Sequence, residues 1–260
     1  ALDGTPWTVL EHRYDYYKEA ITQMFKVLGA DLDKVEFVKG SEFQLKPEYA
    51  YDVLKMASMN SIKDCKRAAA EVVKMGENPA LGGLIYPIMQ SLDEHYLDVD
   101  VQFGGLDQRK ILMFARENLP KIGFDARVEV MNPMIPGLVG KKMSSSDAKS
   151  KIDVTDSVED VKVKINKADC VEGNPDNGVM AFLKYVIMVL KSDAGEKFVV
   201  ERDEKWGGNL EFSSYLDIEK AFVKKELHPQ DLKVAVAKSI SELLSGVDVK
   251  KLEKLGEKAY

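Results

Sequence analysis

A strand, a two-glycine turn and a helix follow one another directly in the middle of the chain, and this order constrains the fold most. A strand is predicted over residues 99–103, Gly104 and Gly105 follow it, and a helical pattern runs from Asp107 to about residue 119. A second strand is predicted over residues 127–130. Strands that alternate with helices in this way are typical of a parallel sheet with crossover helices. The sequence therefore predicts an α/β fold.

Helical patterns dominate the rest of the chain and indicate two domains. Before the strand at residues 99–103 we predict helices over residues 5–29, 47–59, 61–75 and 81–97, with a short strand over residues 35–38. After residue 146 we predict helices near residues 158–168, 179–190, 218–225 and 229–244, with a hairpin over residues 199–212. We therefore place a parallel-sheet domain at residues 1–151 and a mostly helical domain at residues 152–260.

Composition argues against several classes of function. The chain carries a formal net charge of −6, so any contact with RNA has to come from local basic patches. Cys65 and Cys170 stand far apart and form no CxxC pair, which argues against a disulfide framework or a zinc site. None of the three histidines stands beside a serine or cysteine in a nucleophile elbow, so covalent catalysis is poorly supported. No apolar run approaches about 18 residues, and we expect a cytoplasmic protein.

One predicted helix carries three polar side chains on a single face. Tyr86, Gln90 and Asp93 are spaced i, i+4 and i+7, which places them within about 60° of arc and separates the first from the last by about 10 Å. They could line a ligand site, or they could form the solvent-facing side of an amphipathic helix, which spacing alone favours. Pro87 either begins this helix or kinks it at Tyr86.

Two further stretches hold residues suited to binding a nucleotide. Gly104 and Gly105 stand at the carboxyl end of a predicted strand, where α/β folds bind ligands and glycine lets a backbone approach closely. Asp107 fits such a site, but it could equally cap its helix. Residues 141–146 hold two lysines and three serines, which could clamp a polyphosphate or form a mobile surface loop.

Together these stretches resemble the class I tyrosyl-tRNA synthetases of the archaeal and eukaryotic type. The helix with Tyr86, Gln90 and Asp93, the turn at residues 104–108 and the loop at residues 142–146 occur in the order found in that family. Shorter segments at residues 84–87, 132–134 and 228–233 add to the match. The resemblance covers essentially the whole chain and implies a Rossmann-like catalytic domain followed by a helical anticodon-binding domain.

The resemblance also implies roles for individual residues. Asp93 would accept a hydrogen bond from the phenol of bound tyrosine, Tyr86 and Gln90 would hold its ammonium, and Gln108 would lie near its carboxylate. The residues implied for ATP are Gly105, Asp107, Met134, Ile135, Lys142 and Met143. Those implied for the catalytic loop are Lys142, Ser144, Ser145 and Ser146.

Two residues of the helical domain are implied in reading the anticodon. Trp206 would stack on the first anticodon base, and Asp231 would read the edge of that base. The plainer interpretations are a half-buried tryptophan and a carboxylate at a helix N-terminus. Without the resemblance, the sequence favours these plainer interpretations.

The implied reaction is the adenylation of tyrosine by ATP, followed by transfer of tyrosine to the 3′ end of tRNA(Tyr). Positioning and electrostatic stabilisation would carry the first step, because the tyrosine carboxylate is itself the nucleophile. Mg²⁺ is expected to accompany ATP, without a dedicated metal site in the protein. The resemblance further implies a homodimer.

One feature of the family does not occur in these 260 residues, namely the first signature, a His-x-Gly-His or Gly-x-x-His segment. We therefore expect half of the ATP site to lie upstream of Ala1, and these residues alone to be catalytically incomplete. Two alternatives stay open: a non-catalytic module that binds RNA or a partner protein, and, within the same class, a tryptophanyl-tRNA synthetase. The set of site residues favours an active ligase, and Asp93 suits a phenol better than an indole.

Overall fold

The computed structural model describes residues 5–73, 76, 78–140, 143 and 147–260. The α-helices in this part of the chain are α1 (Leu10–Val27), α2 (Pro47–Met59), α3 (Ile62–Ala69), α4 (Leu81–Tyr96), α5 (Arg109–Asn118), α6 (Val158–Lys167), α7 (Gly178–Phe182), α8 (Met188–Asp193), α9 (Tyr215–Val223), α10 (Pro229–Leu244) and α11 (Val249–Ala259). The strands are β1 (Val101–Gly105), β2 (Val128–Asn132), β3 (Phe198–Val200) and β4 (Leu210–Phe212). Within the described residues, no helix has the length and apolar character needed to cross a membrane.

The chain divides into two compact units. The first contains Glu36–Met134 with the described residues up to Leu10, and the second contains Glu11–Val35 and Ile135–Tyr260. The predicted α/β class is confirmed, because the first unit holds a parallel pair of strands beside helices and the second is mostly helical. The division into functional domains at residue 151 stays a prediction.

Two parallel strands organise the first unit. Val101 of β1 pairs with Val128 of β2, and the register continues to Gly105 opposite Asn132, so the two carboxyl ends meet at one edge. α4 contacts α2, α3 and α5, and their apolar sides form one core. The fully buried members of this core include Tyr49, Met56, Leu92, Ile111 and Leu119. Because parallel sheets bind ligands at the carboxyl ends of their strands, this edge is the expected place for a site.

Most predicted elements of both units are confirmed, and two differ for clear reasons. The strand predicted over residues 35–38 is wrong, because Val35–Val38 pairs with no strand among the described residues. A strand needs a hydrogen-bonded neighbour, which local composition cannot supply. The helix predicted over residues 61–75 is too long. α3 ends at Ala69, and the next N–H, that of Ala70, donates to the carbonyl of Arg67 in a tighter turn. α11 has no counterpart among the predicted elements.

The second unit brings together helices from distant parts of the sequence. Arg13 of α1 donates through Nε to the carbonyl of Ala259 at 3.1 Å, and the N–H of Asp248 donates to Oε1 of Gln23 at 2.6 Å. α6 packs against α10, and β3 and β4 form an antiparallel pair. The fully buried side chains of this core include Val161, Ile165, Met180, Leu183, Phe198, Ile218, Phe222, Leu232 and Val236.

Close backbone packing in the second unit requires a glycine at the start of α7. A Cβ on Gly178 would lie 2.5 Å from the carbonyl oxygen of Gly137. The facing segment is itself held, because the N–H of Leu138 donates to Ser150 at 2.9 Å and its carbonyl accepts from Asp169 at 2.7 Å. A larger residue at position 178 would therefore have to displace hydrogen-bonded backbone.

We predict that Gly178→Ala destabilises the second unit by about 1–3 kcal/mol, as overpacking of a well-packed site usually does. The matched control is Gly256→Ala in α11, where the new methyl group would make only ordinary contact with Tyr16, at 3.6 Å. That change should stabilise by up to about 1 kcal/mol through helix propensity. Urea unfolding of both variants measures the difference, and a wild-type midpoint for Gly178→Ala would contradict the close approach.

Candidate functional site

The predicted polar face of α4 lies on one continuous helix. α4 begins at Leu81, six residues before Pro87, so this proline neither begins nor interrupts the helix. Pro87 has no N–H to donate to the carbonyl of Gly83, while its own carbonyl accepts from Ser91 Oγ at 2.7 Å. Tyr86, Gln90 and Asp93 therefore follow the i, i+4, i+7 spacing of a regular helix.

Asp93 is bound by two side chains that precede α4 in the sequence. Nε2 of Gln44 donates to both carboxylate oxygens, at 2.9 and 3.1 Å. The hydroxyl of Tyr49 lies 2.8 Å from Oδ1 of Asp93 and 2.8 Å from the carbonyl oxygen of Met89, and its single proton can serve one of them at a time. Burial raises the pKa of Asp93 above its ordinary value, and the two hydrogen bonds partly offset that rise. This end of the face is therefore not a solvated surface.

Gln90, about one turn before Asp93 on the polar face of α4, contacts Gln108. Nε2 of Gln90 donates to Oε1 of Gln108 at 3.2 Å, which joins α4 to the turn that follows β1. Oε1 of Gln90 is buried and has no hydrogen-bond partner among the described residues. Tyr86, one turn earlier, is 36% exposed. A buried amide oxygen without a donor is suited to accept one from a ligand, such as an ammonium group.

The turn after β1 packs closely around Gly105. A Cβ at this position would lie 2.6 Å from Oδ1 of Asp107 and 3.2 Å from the sulfur of Met134. Neither the turn that contains Asp107 nor α5 is capped by a side chain, so Asp107 does not serve as a helix cap. Its carboxylate instead lies over the backbone of Gly105, at the edge where β1 and β2 end.

The remaining residues implied for ATP fall in the second unit. Ile135 is half-buried and Met143 is 37% exposed. Lys142, Ser144, Ser145 and Ser146 lie outside the described residues, so their roles stay predictions. The segments on either side of this loop are joined, because the N–H of Leu138 donates to the carbonyl of Ser150 at 2.9 Å.

Trp206 and Asp231, the two residues implied for the anticodon, are accessible in the second unit. Trp206 is 68% exposed at the end of a short 3₁₀ turn, and Nζ of Lys205 lies 5.9 Å from its ring centroid. The interpretation of Trp206 as a half-buried core residue is therefore wrong. Asp231 is half-buried in the first turn of α10, and the cap of that helix is His228, whose Nδ1 accepts the N–H of Gln230 at 3.1 Å. Both side chains can reach a ligand from solvent.

Gln44 and Tyr49 are functional candidates that the sequence patterns do not reveal. Tyr49 is only 1% exposed, so its position in α2 looks like that of an ordinary core residue. Gln44 stands in a short turn with no repeating pattern. Only the tertiary contacts with Asp93 identify them, since Gln44 is 49 residues and Tyr49 is 44 residues away from it in sequence.

Comparison with known proteins defines the class. The family model of the class I tRNA synthetases (W and Y) matches residues 2–245, and the chain belongs to this family. Within it, the chain is similar to tyrosine–tRNA ligases. It is 47% identical to the cytoplasmic tyrosine–tRNA ligase of Gallus gallus over 98% of this chain and 49% of that protein. It is 44% identical to that of Saccharomyces cerevisiae, over 98% and 68%. The chain thus spans about half the length of several curated relatives that it matches.

Solved structures give the same assignment. Tyrosyl-tRNA synthetase complexed with L-tyrosine from Archaeoglobus fulgidus superposes with a TM-score of 0.83 at 40% identity, over 94% of this chain and 77% of that one. The complex from Pyrococcus horikoshii gives 0.85 at 28%, over 95% and 74%. Tryptophanyl-tRNA synthetase from Giardia lamblia gives 0.62 at 17% identity, over 93% and 67%, which is a likeness of fold alone.

A second buried carboxyl group lies directly beside Asp93 in sequence. Glu94 is 1% exposed, and neither of its carboxyl oxygens has a hydrogen-bond partner among the described residues. Burial, with the nearby charge of Glu129, raises the pKa of Glu94 to about 8, and Arg127 opposes this rise. Glu94 therefore keeps its proton to a higher pH in the folded protein than a glutamate in water does.

We predict that the stability of the first unit falls as the pH rises from about 4.5 to about 8. Across this window the unfolded chain has lost the Glu94 proton, whereas the folded chain still binds it. The free energy of unfolding should fall by about 1.4 kcal/mol per pH unit for one such proton. Glu94→Gln, an isostere of the neutral acid, should reduce this slope and be more stable than the wild type at high pH.

The measurement is urea unfolding of wild type and variant at several pH values across that window. Glu117→Gln is the matched control, because Glu117 lies exposed on α5 in the same unit. It should keep the wild-type slope. Equal slopes for the wild type and Glu94→Gln would show that Glu94 does not hold its proton in the folded state.

Proposed function

We propose that the chain is part of a tyrosine–tRNA ligase, which activates tyrosine with ATP and transfers it to tRNA(Tyr). The observation that carries this proposal is the half-buried carboxylate of Asp93, held by Gln44 and Tyr49 at one end of a polar helix face. The similarity to tyrosine–tRNA ligases over 98% of the chain supports it. The similarity to a tryptophanyl enzyme is limited to the fold.

The chemistry of Asp93 fits the recognition of a phenol. A carboxylate that accepts two or three hydrogen bonds retains lone pairs for a further donor. Burial strengthens the hydrogen bond that such a donor makes. A bound tyrosine hydroxyl would supply such a donor and would stabilise the charged form of Asp93. Phenylalanine offers no donor, so its binding would desolvate the carboxylate without compensation.

The opposite end of the same face would hold the amino-acid group. Tyr86 lies about 10 Å from Asp93 along the helix axis, which allows one ligand to span both. Oε1 of Gln90 has no donor among the described residues, so it could accept from the ligand ammonium. Gln108, which already contacts Gln90, would lie near the ligand carboxylate.

ATP would bind at the edge where β1 and β2 end. Because Gly105 has no side chain, Asp107 and Met134 lie directly over its backbone at this edge. Asp107 would meet the ribose there, and Met134 would lie against the base. The tyrosine carboxylate oxygen would attack the α-phosphorus, the bond to the β-phosphate would break, and pyrophosphate would leave. Mg²⁺ would enter as part of the Mg–ATP substrate. We assign Lys142, Ser144, Ser145 and Ser146 to the phosphates, and Ile135 and Met143 to the nucleotide, on the family resemblance.

Transfer to tRNA requires a second recognition step, which we assign to the mostly helical part of the chain. Trp206 presents an aromatic ring to solvent, and such a ring can stack on a base of any identity. Asp231 can accept hydrogen bonds from the edge of guanine, which gives the base preference. A division into a catalytic domain at residues 1–151 and an anticodon-binding domain at residues 152–260 follows from this assignment.

We further propose a homodimer in the cytoplasm. Tyr51 and Leu54 on α2 and Ile62 on α3 are 68%, 70% and 73% exposed. Large apolar side chains concentrated on neighbouring helices commonly mark a protein contact. The cytoplasmic location is supported by the names of the relatives in Gallus gallus and Saccharomyces cerevisiae.

We predict that Asp93→Ala in the full-length protein impairs the selection of tyrosine over phenylalanine far more than it impairs ATP binding. Sites that bind a hydroxyl reject the analogue without it by about 10⁴–10⁵-fold, a range whose standard example is this enzyme family itself. The variant should be less stable, because Gln44 loses its acceptor, but it should still fold, because Tyr49 can donate to the carbonyl of Met89 and the apolar contacts between α2 and α4 remain. Amino-acid-dependent ATP–pyrophosphate exchange with each substrate measures the ratio.

Asp52→Ala is the matched control for this experiment. Asp52 is also a buried carboxylate that accepts a tyrosine hydroxyl, from Tyr96 at 2.7 Å, but it belongs to α2 and not to the polar face of α4. It should lower stability and leave the tyrosine to phenylalanine ratio unchanged. Wild-type discrimination in Asp93→Ala would remove Asp93 from the phenol site.

We predict that Trp206→Ala costs about 1–3 kcal/mol in the specificity constant for tRNA, the usual value of one base–aromatic stack. Asp231→Ala should cost a similar amount and also relax the preference for guanine at the first anticodon position. Neither variant should change pyrophosphate exchange, because adenylate formation needs no anticodon. Charging assays with wild-type tRNA and a transcript altered at that base measure both effects.

Trp7→Ala is the matched control, since Trp7 is the other tryptophan and is 79% exposed. It should leave both activities unchanged. Equal losses of exchange and charging in Trp206→Ala would indicate a folding defect instead of lost stacking. An unchanged guanine preference in Asp231→Ala would exclude Asp231 from base recognition.

A further inference from the structure

The loop that carries Trp206 has a defined backbone. It joins β3 to β4, and its 3₁₀ turn Glu204–Trp206 is followed by two glycines in the left-handed region, Gly207 at φ 91° and Gly208 at φ 71°. The carbonyl of Asp203 accepts the N–H of Trp206 at 2.8 Å. Two consecutive glycines lose much conformational entropy on folding, so a fixed loop of this kind needs anchoring contacts.

Arg202, two residues after the end of β3, supplies those anchoring contacts. Its Nε donates to the carbonyl of Gly208 at 3.0 Å, which closes the loop across its base. Its backbone N–H donates to Oδ1 of Asn209 at 2.9 Å. Its Nη1 donates to the carbonyl of Glu226 at 3.2 Å, in the segment between α9 and α10. One side chain therefore connects both ends of the loop to a separate part of the unit.

The Glu226 contact links the Trp206 loop to the residue implied in reading the base edge. Glu226 stands two residues before His228, the N-cap of α10, and Asp231 lies in the first turn of that helix. The planar guanidinium has donors in a fixed fork, so it can hold two carbonyls at a set separation. A lysine ammonium has no such fork.

We propose that Arg202 is a positioning residue for anticodon recognition. Its guanidinium ties the Trp206 loop to the segment that leads into α10, so that the ring is presented in one orientation before RNA arrives. Preorganisation of this kind reduces the entropy lost on binding and so increases affinity without a contact between Arg202 and RNA. The inference rests on the proposed role of Trp206. Because Nε and Nη1 both bind carbonyls of the protein, Arg202 acts through the loop.

The test is a double-mutant cycle on RNA binding by this chain. The probe is a fluorescein-labelled anticodon stem-loop of tRNA(Tyr) with guanine at the first anticodon position, and Kd is measured by anisotropy. The proteins are the wild type, Arg202→Ala, Arg202→Lys, Trp206→Ala and the double variant Arg202→Ala/Trp206→Ala. Lys197→Ala is the matched control, because it removes a positive charge from the same hairpin, where Lys197 pairs with Glu211 on the neighbouring strand at 2.9 Å.

We expect Trp206→Ala to weaken binding by about 5- to 150-fold, the equivalent of one base–aromatic stack. Arg202→Ala and Arg202→Lys should each reproduce a large part of this loss. The double variant should bind no more weakly than Trp206→Ala alone, since Arg202 has nothing to position once the ring is gone. Lys197→Ala should change Kd only slightly. The loss of affinity in Arg202→Ala, taken relative to the loss in Trp206→Ala, should stay the same when the salt concentration is raised.

Other outcomes would overturn the proposal. Wild-type affinity in Arg202→Lys would show that charge alone suffices, as in a phosphate contact. Additive losses in the double variant would show that Arg202 acts independently of Trp206. A loss in Trp206→Ala with none in either Arg202 variant would reject the positioning role and keep the role of Trp206. Unchanged binding in Trp206→Ala would reject both.

Discussion

The hydrogen bonds to the half-buried carboxylate of Asp93 are the constraint on which the first unit depends. A carboxylate removed from water has to be satisfied by donors, and here Gln44 and Tyr49 supply them. Since Gln44 precedes α2 and Tyr49 lies within it, these bonds place α2 against α4. Asp93 itself belongs to α4, where it shares the i, i+4, i+7 spacing with Tyr86 and Gln90. The same contacts thus join two helices and fix the position of the carboxylate proposed to read the phenol.

The second unit presents the opposite case, because it holds the aromatic ring of Trp206 in solvent. Trp206 gains little from burial at 68% exposure, so its position depends on the backbone that carries it. That backbone is held by Asp203, by the two left-handed glycines and by the guanidinium of Arg202. The two units therefore show how a folded chain can maintain polar groups inside and an apolar group outside, in each case by hydrogen bonds.

Sequence patterns predicted the elements well where the signal is local. α2 and α10 begin with proline in their first turn and have the predicted bounds, because proline preorganises a helix start. The parallel pair of β1 and β2 followed from the alternation of strands and helix. Residues 35–38 were harder, since a strand exists only with a partner. The candidate residues Gln90 and Gln108 were proposed from the family resemblance, yet the contact between them was not visible in the sequence.

The sequence by itself determined the family, the α/β class and the helix face that carries Tyr86, Gln90 and Asp93, because these depend on residue type and on a period of 3.6. Tertiary structure alone decided that Gln44 and Tyr49 bind Asp93, that Glu94 is buried with no hydrogen-bond partner among the described residues, and that Arg202 closes the Trp206 loop. Each of these depends on distances between residues far apart in the chain. Such distances are set by the packing of whole helices and loops, and no local spacing encodes them.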